Sequence, residues 1–197
     1  EECREALEEG HELISECVEG IDRIFSVVRE VTGFSGEDEA SDFAPHELGQ
    51  IVGRAVRIAQ VQAPAELEIE MRLDSDVQIH CRFAEIERVV TNLLVNAIHA
   101  LDGRAPGDAH LTVAVARQAG RALLHVEDDG CGIEGDVLER IFDPFFTTKP
   151  VGKGTGLGLA ISYQTVRLHG GEIRVSSVPG GGTSVTVDLP LATFDGE

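Results

Sequence analysis

The chain has 197 residues, 42% of them hydrophobic, enough for one core of ordinary size. Its formal net charge of −19 argues against a surface for nucleic acid or an anionic membrane. No apolar run approaches the roughly 20 residues of a membrane span, and no signal peptide is visible.

Cys3, Cys17, Cys81 and Cys131 form no CxxC pair, which suits reduced thiols in a cytoplasmic protein. The chain opens on EECREALEEG without a methionine, and is expected to be a segment of something longer. Residues 3–31 carry a heptad seam of Cys3, Leu7, Gly10, Ile14, Cys17, Ile21, Ile24, Val28 and Val31. That spacing predicts a long helix of a coiled coil or bundle, whose seam one helix cannot bury alone. The helix is expected to end near Gly33, and the acidic stretch GEDEASD over 36–42 reads as a linker. The domain plan is therefore a helix over 1–35, the linker, a folded body over 43–192 and a tail over 193–197.

In the body, 46–60 suits a helix. Leu67, Ile69, Met71 and Leu73 alternate as a half-buried strand, and Val77, Ile79 and Cys81 read as a second. A strongly apolar helix is expected over 84–101. Strands over 111–116 and 123–128 follow, then a short helix near 134–141 and a long loop. A helix over about 156–169 and strands over 172–178 and 183–189 close the chain. Short turns join several strand pairs, which favours an α+β sandwich: a mixed, mainly antiparallel sheet covered by helices on one face.

Four stretches carry chemistry. In TNLLVNAIHA (91–100), Asn92, Asn96 and His99 share one helical stripe beside the core stripe of Ile86, Val90, Leu93, Ala97 and Leu101. Asparagine is a poor helix former, and its amide oxygen suits Mg²⁺, which takes few protein ligands. In HVEDDGCGI (125–133), strand alternation turns Asp128 inward with Leu124 and Val126. A buried carboxylate needs donors, and an adenine amino group is one; an ordinary Asp-Gly turn is the plainer alternative. IFDPFFTTKPVGKGTG (141–156) combines three phenylalanines with the chain's only lysines, Lys149 and Lys153. It fits either a lid or a small apolar cluster beneath a surface loop. GKGTGLGLAIS (152–162) is neither a Walker loop nor a dinucleotide turn. Its glycines before a helix start nevertheless offer backbone N–H groups to an anion. In PGGGTSVTVDLP (179–190), Thr183 begins an inward row with Val185, Val187 and Leu189.

In their order and spacing, NLLVNA, DDGCGI, FDPFFTTK, GTGLGLA and GGGTSVTVDLP resemble the five nucleotide-binding boxes of sensor histidine kinases. These kinases belong to the gyrase/Hsp90/histidine-kinase/MutL ATP-binding superfamily, and the likeness covers 43–190. It implies a Bergerat-type ATP-binding fold preceded by part of a dimerisation hairpin. It also implies Mg²⁺ on Asn96, with Asn92 and His99 on the nucleotide side, and adenine against Asp128 with Gly130 and Gly132 shaping the pocket. Lys149, Lys153, Gly154, Thr155, Gly156, Leu157 and Gly158 would face the phosphates, and Thr183 the adenine end. Superfamily members that hydrolyse ATP carry a glutamate one turn before the metal-binding asparagine. Here that position is Asn92, a neutral amide that cannot act as a general base near pH 7.

The resemblance therefore implies Mg-ATP-dependent phosphoryl transfer to a histidine, then relay to an aspartate on a response-regulator receiver domain. Homodimerisation through the N-terminal helix is expected, with no nucleic-acid partner, no membrane contact by this segment, and a parent that is either free or membrane-anchored. His11 lies in HELISEC, which lacks the proline of a phosphoacceptor box, and only one helix separates it from the body. The acceptor is expected upstream of Glu1 rather than at His11. A serine kinase of the anti-sigma-factor type, or a non-catalytic module for dimerisation and regulator docking, are the competing readings.

Overall fold

The computed structural model describes residues 43–105, 107–150 and 154–193. The expected long helix, the 36–42 linker, His11, Lys153 and all but the first residue of the expected tail lie outside them.

The chain enters through β1 (Ala44–Glu47) and turns at once into α1 (Leu48–Gln60). It continues through β2 (Ile69–Leu73), β3 (Gln78–Cys81), α2 (Phe83–Ala100), β4 (Leu111–Gln118) and β5 (Arg121–Asp128). A four-residue α3 (Gly135–Leu138), α4 (Gly158–Leu168), β6 (Glu172–Val178) and β7 (Gly182–Pro190) complete it. Five strands form one sheet in the order β2-β4-β5-β7-β6, with β2 parallel to β4 and every other pair antiparallel. A parallel pair needs a crossover, which the β3–α2 segment supplies. The mixed, mainly antiparallel sheet expected from the sequence is thus observed.

The core follows the sequence periodicities. On α1, Leu48, Ile51, Val52, Ala55, Val56 and Ala59 are buried, the i, i+3, i+4, i+7 pattern of an amphipathic helix. On α2 the predicted stripe of Ile86, Val90, Leu93, Ala97 and Leu101 is buried to the last residue. These faces lie on inward rows of the strands, where Val113 faces Val126, Val115 faces Leu124, and Leu124 faces Val187 across neighbouring strands.

Three expectations are corrected. The helix expected from 46 begins at Leu48, because Ala44–Glu47 is recruited into a separate two-stranded sheet with β3. β3 consequently joins β1 and not the main sheet. The helix expected over 134–141 shortens to α3, and the half-buried strand expected over 67–73 is only partly realised. Met71 and Leu73 fall on the same rows as Val113 and Val115 but remain 49% and 39% exposed. β2 is an edge strand, and the glycine at position 49 on α1 leaves Leu73 without a bulky neighbour.

The two sheets and the helices meet near the entry point. His169, just after α4, is buried; its Nδ1 lies 2.8 Å from the Thr165 carbonyl, and its Nε2 accepts the Arg82 backbone N–H at 3.2 Å. Phe43 packs on that imidazole, 4.8 Å between centroids, and the Arg82 guanidinium lies over the Phe43 ring, 5.1 Å from its centroid. Among the described residues no helix is long and apolar enough to cross a membrane.

Candidate functional site

A cavity of about 1030 Å³ opens between α2, the ends of β5 and β7, and the two stretches 146–149 and 154–158. That volume suits a ligand of nucleotide size. Of the residues the sequence nominated, Asn92, Asn96, His99, Asp128, Gly132, Lys149, Gly154, Thr155, Gly156, Gly158 and Thr183 line it. Gly130 and Leu157 are buried and do not line it.

The floor is the end of β5. Asp128 is 7% exposed, and its Oδ1 accepts the Gly130 backbone N–H at 2.9 Å. In the β5–β7 register it faces Thr183, itself buried. Burial is the leading influence on the carboxyl, pushing its pKa above the usual carboxylate range, while the Gly130 and Thr183 N–H groups pull the other way. The inward phase read from strand alternation is therefore correct, and the carboxylate still has lone pairs for a ligand donor.

The turn after Asp128 is tied to three elements. Cys131 donates its N–H to the Ala100 carbonyl at the end of α2, and its own carbonyl accepts the Gly180 N–H at 2.7 Å. Ile133 donates to Ser177 Oγ at 2.8 Å, and Ser177 in turn lies 3.0 Å from Thr183 Oγ1. Asp129 Oδ1 accepts the His110 N–H, and its carbonyl accepts Arg104. Gly132 has a φ of +68°, and a Cβ there would collide with the Val178 carbonyl. Gly132→Ala should lose about 1–3 kcal/mol from backbone strain alone, with the backbone clash added. Urea denaturation should show the drop in midpoint; an unchanged midpoint would mean the turn is free to rearrange.

One wall is α2. Asn92 donates its amide to the Gly158 carbonyl at 3.4 Å and to Ser162 Oγ at 3.5 Å, so it braces the first turn of α4. Ser162, fully buried, also donates to the Gly158 carbonyl at 2.8 Å. One turn on, Asn96 Oδ1 lies 3.5 Å from Lys149 Nζ, and His99 Nδ1 lies 2.8 Å from the same nitrogen. Burial lowers the pKa of Lys149, and burial followed by the Lys149 charge lowers that of His99.

The opposite wall is the start of α4. Its first N–H groups have no intrahelical acceptor, and the N-cap residue Leu157 supplies no side-chain cap, an arrangement suited to an anion. Gly156 lets the preceding segment reach them: its φ is +69°, and a Cβ would strike the backbone of Phe145. Phe145 donates its N–H to the Gly156 carbonyl at 3.0 Å. The alternative of a small packed cluster holds for two of the three phenylalanines. Phe142 packs on Tyr163 at 5.2 Å between centroids, and Phe146 sits under the Arg140 guanidinium, whereas Phe145 is 67% exposed.

Sequence reading missed Ser177 and Ser162. Both are ordinary small polar residues in their own elements, and they acquire roles only through partners contributed by distant elements. Among the described residues no group of three or more His, Cys, Asp and Glu is placed to hold a metal. A metal here would rely on few protein ligands.

The α+β body, with its cavity beside α2 and α4, agrees with what comparison with known proteins finds. The chain belongs to the histidine kinase-, DNA gyrase B- and HSP90-like ATPases, whose sequence pattern matches residues 81–193. It is 33% identical over 182 residues to the signal transduction histidine-protein kinase AtoS of Escherichia coli, covering 91% of this chain and 29% of that protein. It is 33% identical over 189 residues to the sensor histidine kinase ZraS of Salmonella typhimurium, covering 93% of this chain and 38% of that protein. The mycobacterial sensor histidine kinase MprB superposes with a TM-score of 0.67 at 27% identity, covering 77% of this chain and 99% of that structure. Within the family, the chain is thus a catalytic ATP-binding domain of the sensor histidine kinase type. It spans well under half the length of the curated relatives it matches.

Proposed function

We propose that this chain binds magnesium-ATP and delivers the γ-phosphoryl group to a histidine side chain. The observation that supports this best is the convergence of Asp128, Asn96 and the start of α4 on one cavity. Adenine would lie against Asp128 and Thr183, with its amino group donating to the carboxylate. The phosphates would run toward the first N–H groups of α4, with Thr155 and the glycines around it leaving room for them. Asn96 fits Mg²⁺ as an uncharged oxygen donor, the remaining positions being left to phosphate and water. A cationic group already faces that oxygen in the form of Lys149, so a positive charge is accommodated there.

In the transfer, an imidazole nitrogen attacks the γ-phosphorus, the bond to the β–γ bridging oxygen breaks, and ADP leaves while the imidazole proton goes to solvent. The magnesium supplies charge neutralisation on the phosphate oxygens. The chain contributes positioning and electrostatic stabilisation. Asn92 favours transfer over hydrolysis, because its amide is engaged as a donor to α4 and offers no base to water. Lys149, with Lys153 beside it in sequence, would cover the phosphates. The acceptor histidine is read as lying outside this chain. An aspartate on a response-regulator receiver domain is the proposed next carrier, in a cytoplasmic homodimer paired through the N-terminal helix.

Labelling with γ-³²P-ATP tests the scheme. The chain alone is expected to bind Mg-ATP without acquiring label, while a longer protein containing it and a histidine hairpin acquires an acid-labile, alkali-stable phosphate. Rapid multiple-turnover phosphate release by the chain alone would contradict the transfer reading. Self-labelling that disappears in His11→Ala would move the acceptor to His11.

A further inference from the structure

We propose that the Lys149 ammonium occupies the cation position on Asn96 when nucleotide is absent, pins the Phe145–Lys149 segment to α2, and is displaced as magnesium-nucleotide enters. The inference rests on the reading above that Asn96 serves the metal.

The geometry sets up a mutual exclusion. Lys149 Nζ lies 2.8 Å from His99 Nδ1 and 3.5 Å from Asn96 Oδ1, in a chain with a single other lysine. Among the described residues lining the cavity, Lys149 is the one Lys or Arg. Magnesium takes an oxygen at about 2.0–2.1 Å, so a metal on Asn96 Oδ1 would stand close to an ammonium on the same oxygen. Their like charges would repel at such a separation. The contacts that hold the ammonium are neutral, an amide oxygen and an imidazole nitrogen, with the Asp102 charge acting on it as well. Neutral partners retain an ammonium less firmly than a carboxylate would, which makes it replaceable by a metal carried on phosphates.

Displacement has a mechanical consequence. The Lys149 backbone N–H donates to Thr147 Oγ1 at 3.2 Å. Gly154 packs so closely that a Cβ there would lie 2.8 Å from Thr147 Oγ1 and 3.2 Å from Lys149 Cδ. Phe145 is bonded to Gly156, two residues before α4 begins. Lys149 therefore ties this segment to α2 on one side while its neighbours are packed against the entrance to α4 on the other. Entry of the metal would exchange a link to α2 for one to the phosphates.

Hydrogen exchange in the nucleotide-free chain, with EDTA present, tests the tether. Lys149→Met is expected to speed exchange across residues 145–150 roughly tenfold, and His99→Ala by a smaller factor, with β4 and β5 unchanged. At saturating ADP, calorimetry should find that His99→Ala, which loosens the ammonium from Asn96 but keeps it available to the phosphates, needs several-fold less Mg²⁺ than the unmodified chain for half-maximal binding. Unchanged exchange at 145–150 in both variants overturns the tether, and an unchanged Mg²⁺ requirement overturns the competition. If the unmodified chain binds no Mg-ADP but Lys149→Met still loosens 145–150, the nucleotide reading fails and the tether stands.

Discussion

Asp128→Asn is expected to remove measurable adenine nucleotide binding while leaving the protein folded. The carboxylate is buried at the end of β5, held by the Gly130 N–H, and offers its remaining lone pairs to the cavity. A hydrogen bond to a charged group contributes about 1.5–3 kcal/mol, which is roughly 10- to 150-fold in affinity. The amide adds a further cost, because its NH₂ group would confront either the Gly130 N–H or the adenine amino group with a donor. Calorimetric titration with Mg-ADP checks the result, and full affinity in the variant would remove Asp128 from the site.

The same residue sets a pH dependence with two opposite signs. Burial raises the carboxyl's pKa, so the folded protein holds that proton more tightly than the unfolded chain does. Its contribution to stability is therefore complete at acid pH, below the unfolded value, and is lost as pH rises through the raised folded value. Nucleotide affinity runs the other way, because the adenine amino group donates to the ionised form. Affinity should fall on acidification at a higher pH than an ordinary carboxylate would produce, and in the stability profile, which needs no nucleotide, Asp128→Asn should abolish the corresponding transition. A pH profile unaltered by the substitution would assign the titration elsewhere.

Asn96→Ala is the second substitution with a large expected effect. Magnesium in such a site draws most of its ligands from phosphate and water, so one protein oxygen carries much of the protein's share. Disturbing even the outer surroundings of a metal costs about 10–100-fold in affinity, and removing a ligand should reach the upper end of that range. The loss should appear only with Mg²⁺ present; in EDTA the variant and the unmodified chain should bind ADP similarly. Equal weakening in both conditions would make Asn96 a direct nucleotide contact and not a metal ligand. Because Asn96 faces the cavity and not the core row of Leu93 and Ala97, the melting temperature should change little.

Much of this site was legible in the chain before any fold was known. Strand alternation turned Asp128 inward, and helical spacing put Asn92, Asn96 and His99 on one stripe beside a core stripe that is buried as expected. Both are local consequences of backbone period, 2 for a strand and 3.6 for a helix, so each can be read within a single element. The glycine stretch before α4 was legible for the same reason, since helix starts advertise themselves in composition.

What only the tertiary structure decided was pairing. Recruitment of Ala44–Glu47 into a sheet with β3 depends on partners more than 30 residues away, and local pattern read part of that segment as helix. The exposure of Met71 and Leu73 follows from β2 lying at an edge, a property of strand order that alternation cannot report. Ser177 supports Thr183 and Ile133 because β6 ends beside the turn after β5, and Lys149 reaches His99 across 50 residues of sequence. The chain by itself determined which side chains face inward and which chemistry they carry. The fold determined which of them meet, because contacts between distant elements depend on how the whole core packs and leave no period in the sequence.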